Sequence, residues 1–404
     1  MQKIYRVAIV GGGAAGLMSA VELLSGANAI KGEDVVIIER NDRIGKKLIA
    51  TGNGQGNLTN AFVSKDNYYG NSVFLDKFIE HVNSVDLEKY LYNMGIPLYT
   101  AKDGKKYPLS RQANSFLDVL RIYLGSKGCA ILTSTKAEKI LKRGEIFTVC
   151  TNVNDILAKN LIVATGGKSA KQFGTDGTAY SLVEKFGHSV TELYPSLVQL
   201  KCELNLIRGL KGLKETAKVT ALSCGKEIKS AVGDVLFTEY GISGNAVFQI
   251  SGHLTNAINT AVRIEFLPDM DIEEIIKILL DREKCGLFDG ENQLLGMLNK
   301  RVGQAVLKTA KSKSAKDVAK ALKDFNLKIT GNLGFNYAQV TKGGIKTEDI
   351  NAETMESNLT KGMYIVGEML DVDGDCGGYN LTFAFISGIV AAKNIKEISN
   401  YVKT

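Results

Sequence analysis

The chain has 404 residues, of which 45% are hydrophobic and 23% charged, and a formal net charge of +7. That length exceeds what one core fills, so two or three domains are expected, and so ordinary a composition excludes extended disorder. The six cysteines, at positions 129, 150, 202, 224, 285 and 376, form no Cys-x-x-Cys pair or zinc-like cluster. This excludes a redox dithiol and a structural metal site and suits a reducing cytoplasm.

The chain opens on a buried-strand run, Tyr5 to Val10, that breaks into Gly11-x-Gly13-x-x-Gly16 and continues as an apolar helix through Ala14 and Ala15. Each glycine has a task in a dinucleotide site. Gly11 allows the tight turn, Gly13 lets the backbone approach a pyrophosphate, and Gly16 lets helix and strand pack. The apolar stretch Val7 to Val21 follows Lys3 and Arg6 as a signal peptide would, but the glycines split it. A second strand, Val35 to Ile38, ends in Glu39, 23 residues past Gly16, where a carboxylate accepts from a ribose diol and repels a 2′-phosphate. Arg40 follows it. The nucleotide half is therefore read as the adenosine of NAD or FAD.

The next loop, Gly45 to Asn60, is rich in Gly, Asn and Lys. Lys46 and Lys47 are either pyrophosphate or flavin counterions or surface turn residues, and Gly54 and Asn57 are placed against a flat ring. Three strand-like runs, Ala130 to Ile140, Glu145 to Asn152 and Ala158 to Ala164, read as a β-meander inside a Rossmann-type unit. The last run ends in Thr165-Gly166-Gly167 and returns the chain to the cofactor.

From about Tyr194 the pattern changes to period-two strands: Leu197 to Leu204, Ala217 to Leu222, Asp234 to Thr238, Ala246 to Ile250 and Ala261 to Phe266. They predict an inserted β-barrel or sandwich. Helical spacing then runs over Ile272 to Arg282, Glu291 to Ala310 and Ala315 to Phe325. Residues 300 to 328 hold nine Lys/Arg against Asp317 and Asp324. They are read as a solvated face opposite Val318, Leu322 and Phe325, so no nucleic acid is expected as a partner. Strand-like residues resume at Tyr337 to Val340.

The chain closes with a strand, Met363 to Val366, that delivers Gly367 and Glu368, then Asp373, the pair Gly377-Gly378, and a helix through Tyr379, Asn380 and Leu381 to Ile395. The first N–H groups of that helix suit the N1 and C2 carbonyl edge of an isoalloxazine, where negative charge collects on reduction. Glu368 or Asp373 would take a ribityl hydroxyl. The apolar stretch from Leu381 to Ala392 is too short to cross a bilayer, so no transmembrane segment is expected.

Three rival motifs fail on spacing. Asp371, Asp373 and Asp375 imitate a calcium loop, but its sixth position is Cys376 and its twelfth Thr382. Gly167-Lys-Ser169 imitates the end of a P-loop, but the glycine required five residues earlier is Ile162. His81, His188 and His253 lie in none of these loops and are read as structural, which leaves no histidine for a covalent flavin link. Cys376 is read as a packing residue beside the glycines, and no residue is singled out as catalytic.

Together these residues resemble the BaiN-like FAD-binding flavoproteins, a family that includes aminoacetone oxidase. The resemblance spans the chain and rests on Gly11 to Gly16, the Gly45 to Asn60 loop, Ala164 to Ser169, Gly187-His188, Gly241 to Gly244, Thr341 to Gly344, Thr354 to Ser357 and Gly367 to Asn380. It implies an α/β fold: a two-dinucleotide-type FAD domain of residues 1–192 and 336–404, a β-barrel of 193–268 and 326–335, and a helical subdomain of 269–325. Where the family has Arg-Cys-Asn after its early Gly-Asn-Gly, this chain has Gln55-Gly56-Asn57.

The expected activity is that of a cytoplasmic oxidoreductase in which noncovalent FAD exchanges hydride at N5 with a small organic substrate held between the FAD domain and the insert. Two directions stay open: NAD(P)H-driven reduction of an activated double bond, or oxidation of an amine of the aminoacetone type. Flavin-dependent RNA modification is the alternative of another class. With a single Gly-x-Gly-x-x-Gly, any nicotinamide visits without a Rossmann domain of its own.

Overall fold

The computed structural model describes residues 2–255, 257–286 and 290–401. They divide into two compact units, one running to Leu193 and resuming at Val340, the other Tyr194–Gln339.

In the first unit the opening strand Ile4–Val10 lies between two parallel partners, Val35–Ile38 and Asp155–Val163. Beyond Val35–Ile38 lies Ala130–Leu132, also parallel. The other edge of Asp155–Val163 is shared: its second half pairs in parallel with Met363–Ile365 and its first half antiparallel with Ile146–Thr151. Ala137–Arg143 completes this seven-stranded sheet. Val7 to Val10 and Val35 to Ile38 are buried on both faces, as continuous apolar strands in a parallel sheet must be.

The expected meander is corrected at its first run. Ala130 to Ile140 splits at Thr133-Ser134-Thr135, where Ser134 takes a positive φ of 52°. Its N–H bonds to the Asn41 carbonyl and that of Thr135 to the Glu39 carbonyl. The polar triplet ends one strand in the parallel sheet and starts another in the meander.

Two helices cover the crevice end of this sheet: the opening helix Ala14–Leu23 and the closing helix Tyr379–Tyr401. They meet through small residues. A Cβ on Gly388 would lie 2.4 Å from the Ala15 carbonyl oxygen. Ser19 Oγ donates toward the carbonyls of both Ala15 (2.9 Å) and Gly388 (3.1 Å). Phe383 of the closing helix packs edge-on to Phe78, and Phe385 lies against Phe116, so one core joins the two ends of the chain.

The second unit is a closed antiparallel barrel in the order Leu200–Cys202, Gly241–Ser243, Lys226–Phe237, Lys214–Ser223, Thr260–Phe266, Phe325–Asn332. Three of the expected elements differ. Ala246 to Ile250 is helical, within Asn245–Ser251, because Gly244 at φ 108° turns the chain and Ala246, Val247 and Ile250 then share one buried face. The run expected as a helix from Glu291 to Ala310 is interrupted at Gly296 (φ 79°) and contains only the 3-10 turn Gly290–Asn292 and the Asn299-capped helix Lys300–Leu307. In the first unit, Val340–Lys342 is the strand where Tyr337 to Val340 was expected.

The helices Ile272–Lys284, Lys300–Leu307 and Ala315–Lys323 bury Ile275, Leu279, Val302, Val318 and Leu322 in the same cluster as barrel residues Phe266 and Phe325. Barrel and helices share a common core within the unit Tyr194–Gln339. Among the described residues no helix is long and apolar enough to cross a membrane.

The helix contact at Gly388 is testable. Gly388→Val should lower unfolding stability by about 1–3 kcal/mol in urea titrations, the usual cost of overpacking. Gly125→Ala in the helix Ala113–Ser126, where a Cβ meets nothing within 4 Å, should instead stabilise by about 0.5–1 kcal/mol.

Candidate functional site

The glycine turn is built by contacts that exclude side chains. Gly11 has φ 111°, its N–H bonds to the Ile38 carbonyl at 2.8 Å, and a Cβ would stand 2.3 Å from the Ala164 carbonyl oxygen. A Cβ on Gly16 would lie 2.0 Å from the Gly11 carbonyl oxygen. Gly13 is different: it caps the opening helix in extended conformation, and a Cβ there meets no protein atom within 4 Å. The first helical residues, Ala14 and Ala15, are small, and Ala15 faces Gly367, whose own Cβ would come within 2.8 Å of it. The turn thus offers bare backbone N–H groups and the positive helix end to an anion.

Glu39 is buried and braces this turn. Its Oε2 accepts from Gly12 N at 2.8 Å, and its Oε1 accepts from Asn41 N at 2.7 Å and Asn41 Nδ2 at 2.8 Å. Oε2 keeps a lone pair for a ribose hydroxyl. Arg40 forks onto Asp176 with two 3.0 Å bonds, a pairing that sequence spacing did not reveal. Although burial alone would raise it, hydrogen bonds from Arg40 and Thr178 hold the Asp176 carboxyl well below the usual carboxylate range.

Lys46 and Lys47, read as either counterions or surface turn residues, are both paired with carboxylates. Lys46 Nζ lies 2.6 Å from Asp42. Lys47 Nζ lies 2.7 Å from Glu368 Oε2 and 3.4 Å from the Ser169 carbonyl oxygen. Glu368 Oε1 accepts from Thr341 N at 2.9 Å, so Glu368 joins three loops, and each of its oxygens keeps a lone pair. Thr341 Oγ1 accepts from Lys168 N and Ser169 N and donates to Ser169 Oγ. Thr165 Oγ1 contacts Met369 Sδ, Gly166 takes φ 76°, and Gly367 takes φ 69° with its N–H on Ser387 Oγ.

The second glycine loop is held by the first. With its amide oriented to satisfy both ends, Asn57 donates to the Thr59 carbonyl at 3.1 Å and accepts from Gly378 N at 3.1 Å. It therefore positions the glycine pair. Asn60 Nδ2 donates to the Gly377 carbonyl at 3.0 Å, and the hydroxyls of Thr59 and Thr382 are 2.7 Å apart. Asn380 clasps the N–H and carbonyl of Gly374, both at 2.8 Å. The Tyr379 carbonyl accepts from Tyr68 Oη at 3.0 Å. Asp373 is buried in the strand Val372–Gly374 opposite Tyr69, Leu381 is half-buried, and Gly54 is exposed with φ 86°.

These residues fit a dinucleotide. Gly13 and the helix end it caps could offer backbone donors to a pyrophosphate, Glu39 could accept from a ribose hydroxyl, and Gly377-Gly378 starts a second helix. A Cβ on Gly378 would come within 2.6 Å of the Thr59 carbonyl oxygen, so the close approach of these loops requires glycine. Sequence reasoning missed Asn41, Asn60, Thr341 and Ser169 as the side chains that fix the loops. The clearest signal for them is the density of small polar residues beside each glycine pair.

The remaining reactive groups have structural surroundings. Burial pushes the Cys376 thiol up, away from the thiolate form. His81 bonds to the Ala352 carbonyl. His188 is buried with Nε2 2.9 Å from Ser357 Oγ. That hydroxyl oxygen already accepts from Leu359 N and Thr360 N, which places its proton toward His188 and the imidazole proton on Nδ1. Asp349 lies 3.8 Å from Nδ1. Among the described residues no group of three or more His, Cys, Asp and Glu could hold a metal ion.

Two predictions follow from these contacts. Gly13→Ala should leave the stability of the flavin-free protein within about 0.5 kcal/mol of the parent while weakening FAD binding. Gly16→Ala should lower stability by about 1–3 kcal/mol even without flavin. The comparison is made by urea unfolding of stripped protein beside fluorescence titration with FAD.

Burial lowers the His188 pKa below its ordinary value, and Asp349 opposes this only in part. The unfolded chain then binds the extra proton first. The stability from this group is complete above about pH 6.5 and is lost as pH falls toward the folded pKa. Melting temperature should drop between pH 7 and 5 in the parent and drop less in His188→Gln.

The model of the HI0933-like protein Rossmann domain matches residues 5–394. The 3-dehydro-bile acid delta(4,6)-reductase of Clostridium scindens is 32% identical over 97% of this chain and 99% of its own. The ribosomal RNA dihydrouridine synthase of Haemophilus influenzae is 30% identical over 96% and 98%. Among solved structures, the 3-ketosteroid-delta4-(5alpha)-dehydrogenase of Rhodococcus jostii RHA1 superposes with a TM-score of 0.53 at 13% identity, covering 98% of each chain, a likeness of fold alone. With a family match over almost its whole length and relatives at 30% identity or more, this chain belongs to the HI0933-like Rossmann family of FAD-dependent oxidoreductases.

Proposed function

We propose that this enzyme is a cytoplasmic reductase that saturates a carbon–carbon double bond conjugated to a carbonyl in a small organic molecule, with noncovalent FAD as cofactor and NAD(P)H as electron donor. The observation that carries this reading is full-length similarity to two relatives whose names denote the same chemistry. A delta(4,6)-reductase and a dihydrouridine synthase both saturate C=C bonds. The six free cysteines suit the reducing compartment.

FAD, when bound, supplies two-electron hydride transfer at N5. This chain's residues would hold and tune it. The glycine turn and opening helix would take the pyrophosphate and Glu39 the adenosine ribose. The closing helix, pinned through Asn57 to Gly378 and Asn60 to Gly377, would direct its positive end at the flavin edge that gains negative charge. Saturation needs one hydride at the carbon β to the carbonyl and one proton at the α carbon.

A ribosomal RNA substrate is the second reading, favoured by the names of two relatives at 30% and 26% identity. The basic segment is compatible with it but is equally a solvated helical face. Val318, Leu322 and Phe325 are buried while Lys311, Lys316 and Lys320 are exposed, as on a solvated face. Lys323 departs from that face: it is partly buried and donates to the Leu267 carbonyl at 2.7 Å.

Anaerobic protein reduced by NADH or NADPH should be reoxidised by a 3-oxo-4-ene steroid or a comparable enone with one saturated product per flavin. An amine that reduces the flavin, together with inertness toward enones, would contradict the proposal. Changing Lys311, Lys316 and Lys320 together to Glu should leave enone turnover nearly unchanged, because salt screens exposed charges beyond about 8–10 Å. Tight RNA binding in the parent, lost in that variant with a shallower salt slope, would establish the RNA reading instead.

A further inference from the structure

Besides the glycine loops, the first unit carries a small three-stranded sheet, Thr59–Asn60, Lys105–Pro108 and Leu98–Thr100. Tyr99 stands directly opposite Tyr107 in the antiparallel register, so the two rings rise from the same face. The Arg111 guanidinium lies over the Tyr99 ring, 4.2 Å from its centroid. Arg111 holds this place from the left-handed region at φ 52°, costly for a non-glycine residue, with its N–H on the Pro108 carbonyl at 2.7 Å.

Three features make this a ligand surface. Tyr99 is 36% exposed and Arg111 is exposed, so a flat ring and a flat cation face solvent together. The local charge is positive and incompletely paired. Lys105 is bound by Asp103 and Lys106 by Glu88, whereas among the described residues Arg111 pairs with no carboxylate, and Lys102, in the turn of the hairpin that carries Tyr99, is exposed. The sheet is also tied to the flavin loops. Asn60 bonds Gly377, and a Cβ on Gly52 would lie 3.4 Å from the Tyr107 ring.

We propose that the Tyr99–Arg111 face binds the adenine nucleotide half of NAD(P)H, the purine stacking on the tyrosine and guanidinium and its phosphates meeting Arg111 and Lys102. This rests on the reading above that NAD(P)H is the donor. The sole Gly-x-Gly-x-x-Gly of the chain is taken by FAD, so the donor needs another foothold. Two unpaired cations match the few phosphates of one dinucleotide; a polynucleotide would need a longer basic track.

Stopped-flow reduction of the FAD-loaded full chain by NADH and NADPH tests this, with Tyr99→Ala, Arg111→Ala and Tyr99→Phe beside the parent. Each alanine variant should raise the apparent Kd for NAD(P)H about tenfold or more, the effect of losing a stacking partner, with the limiting rate within about twofold. Tyr99→Phe should restore parent affinity. Reduced nicotinamide mononucleotide, which lacks the adenylate, should reduce parent and variants alike. Unchanged Kd in the alanine variants overturns this site alone. A parent that neither NADH nor NADPH reduces overturns the donor reading and the site with it. Loss of single-stranded RNA binding with unaltered NAD(P)H affinity assigns the face to RNA and also overturns the proposal. Equal FAD content and far-UV circular dichroism confirm that the variants are folded.

Discussion

A methyl group on residue 11 would stand 2.3 Å from the carbonyl oxygen of Ala164, and one on residue 16 would stand 2.0 Å from that of residue 11. These two missing carbons let three parallel strands end at one level and let the opening helix begin directly above them. The same exclusion recurs where the chain ends meet, at Gly388 against Ala15 and at Gly378 against Thr59. Backbone packed this closely leaves its N–H groups as the surface of the crevice. The site is therefore made mainly of peptide groups and helix ends, and the side chains around it hold those groups in place.

The charges near the crevice follow the same division. Arg40, Lys46 and Lys47 each have a carboxylate partner, Asp176, Asp42 and Glu368. A lysine already neutralised this way contributes little further attraction to a pyrophosphate, so the helix end capped by Gly13 carries more of that role. The Lys47–Glu368 pair instead ties the early loop to the closing segment across 321 positions of sequence. Joined to Thr341 and Ser169, it forms a clamp on the crevice wall, and Asn57 and Asn60 form a second one at the start of the closing helix.

The cofactor fold was legible because its constraints are local. A strand, a glycine triplet and a helix lie within some twenty residues, and Glu39 falls at the end of the next strand as its spacing requires. The closing loop was legible for the same reason. What escaped the sequence depends on distant partners. Nothing in the local sequence reveals that Lys47 meets Glu368, that Arg40 meets Asp176, or that Asn57 turns toward Gly378. The helix Asn245–Ser251 was misread because so short an apolar run, Ala246, Val247, Phe248 and Ile250, suits either a strand or a helix, and Gly244 decides between them through its backbone. The helical segments looked separate because periodicity shows that a face is buried but not which core receives it.

On the proposed reading, the glycine turn, Glu39 and the clamped closing helix together hold FAD without a covalent link. The most direct test is acid precipitation of the purified yellow protein followed by chromatography of the released flavin. All of the flavin should leave the denatured chain as FAD, one per chain after reconstitution. FMN in place of FAD, colour that stays with the precipitate, or a protein that takes up no flavin would contradict it.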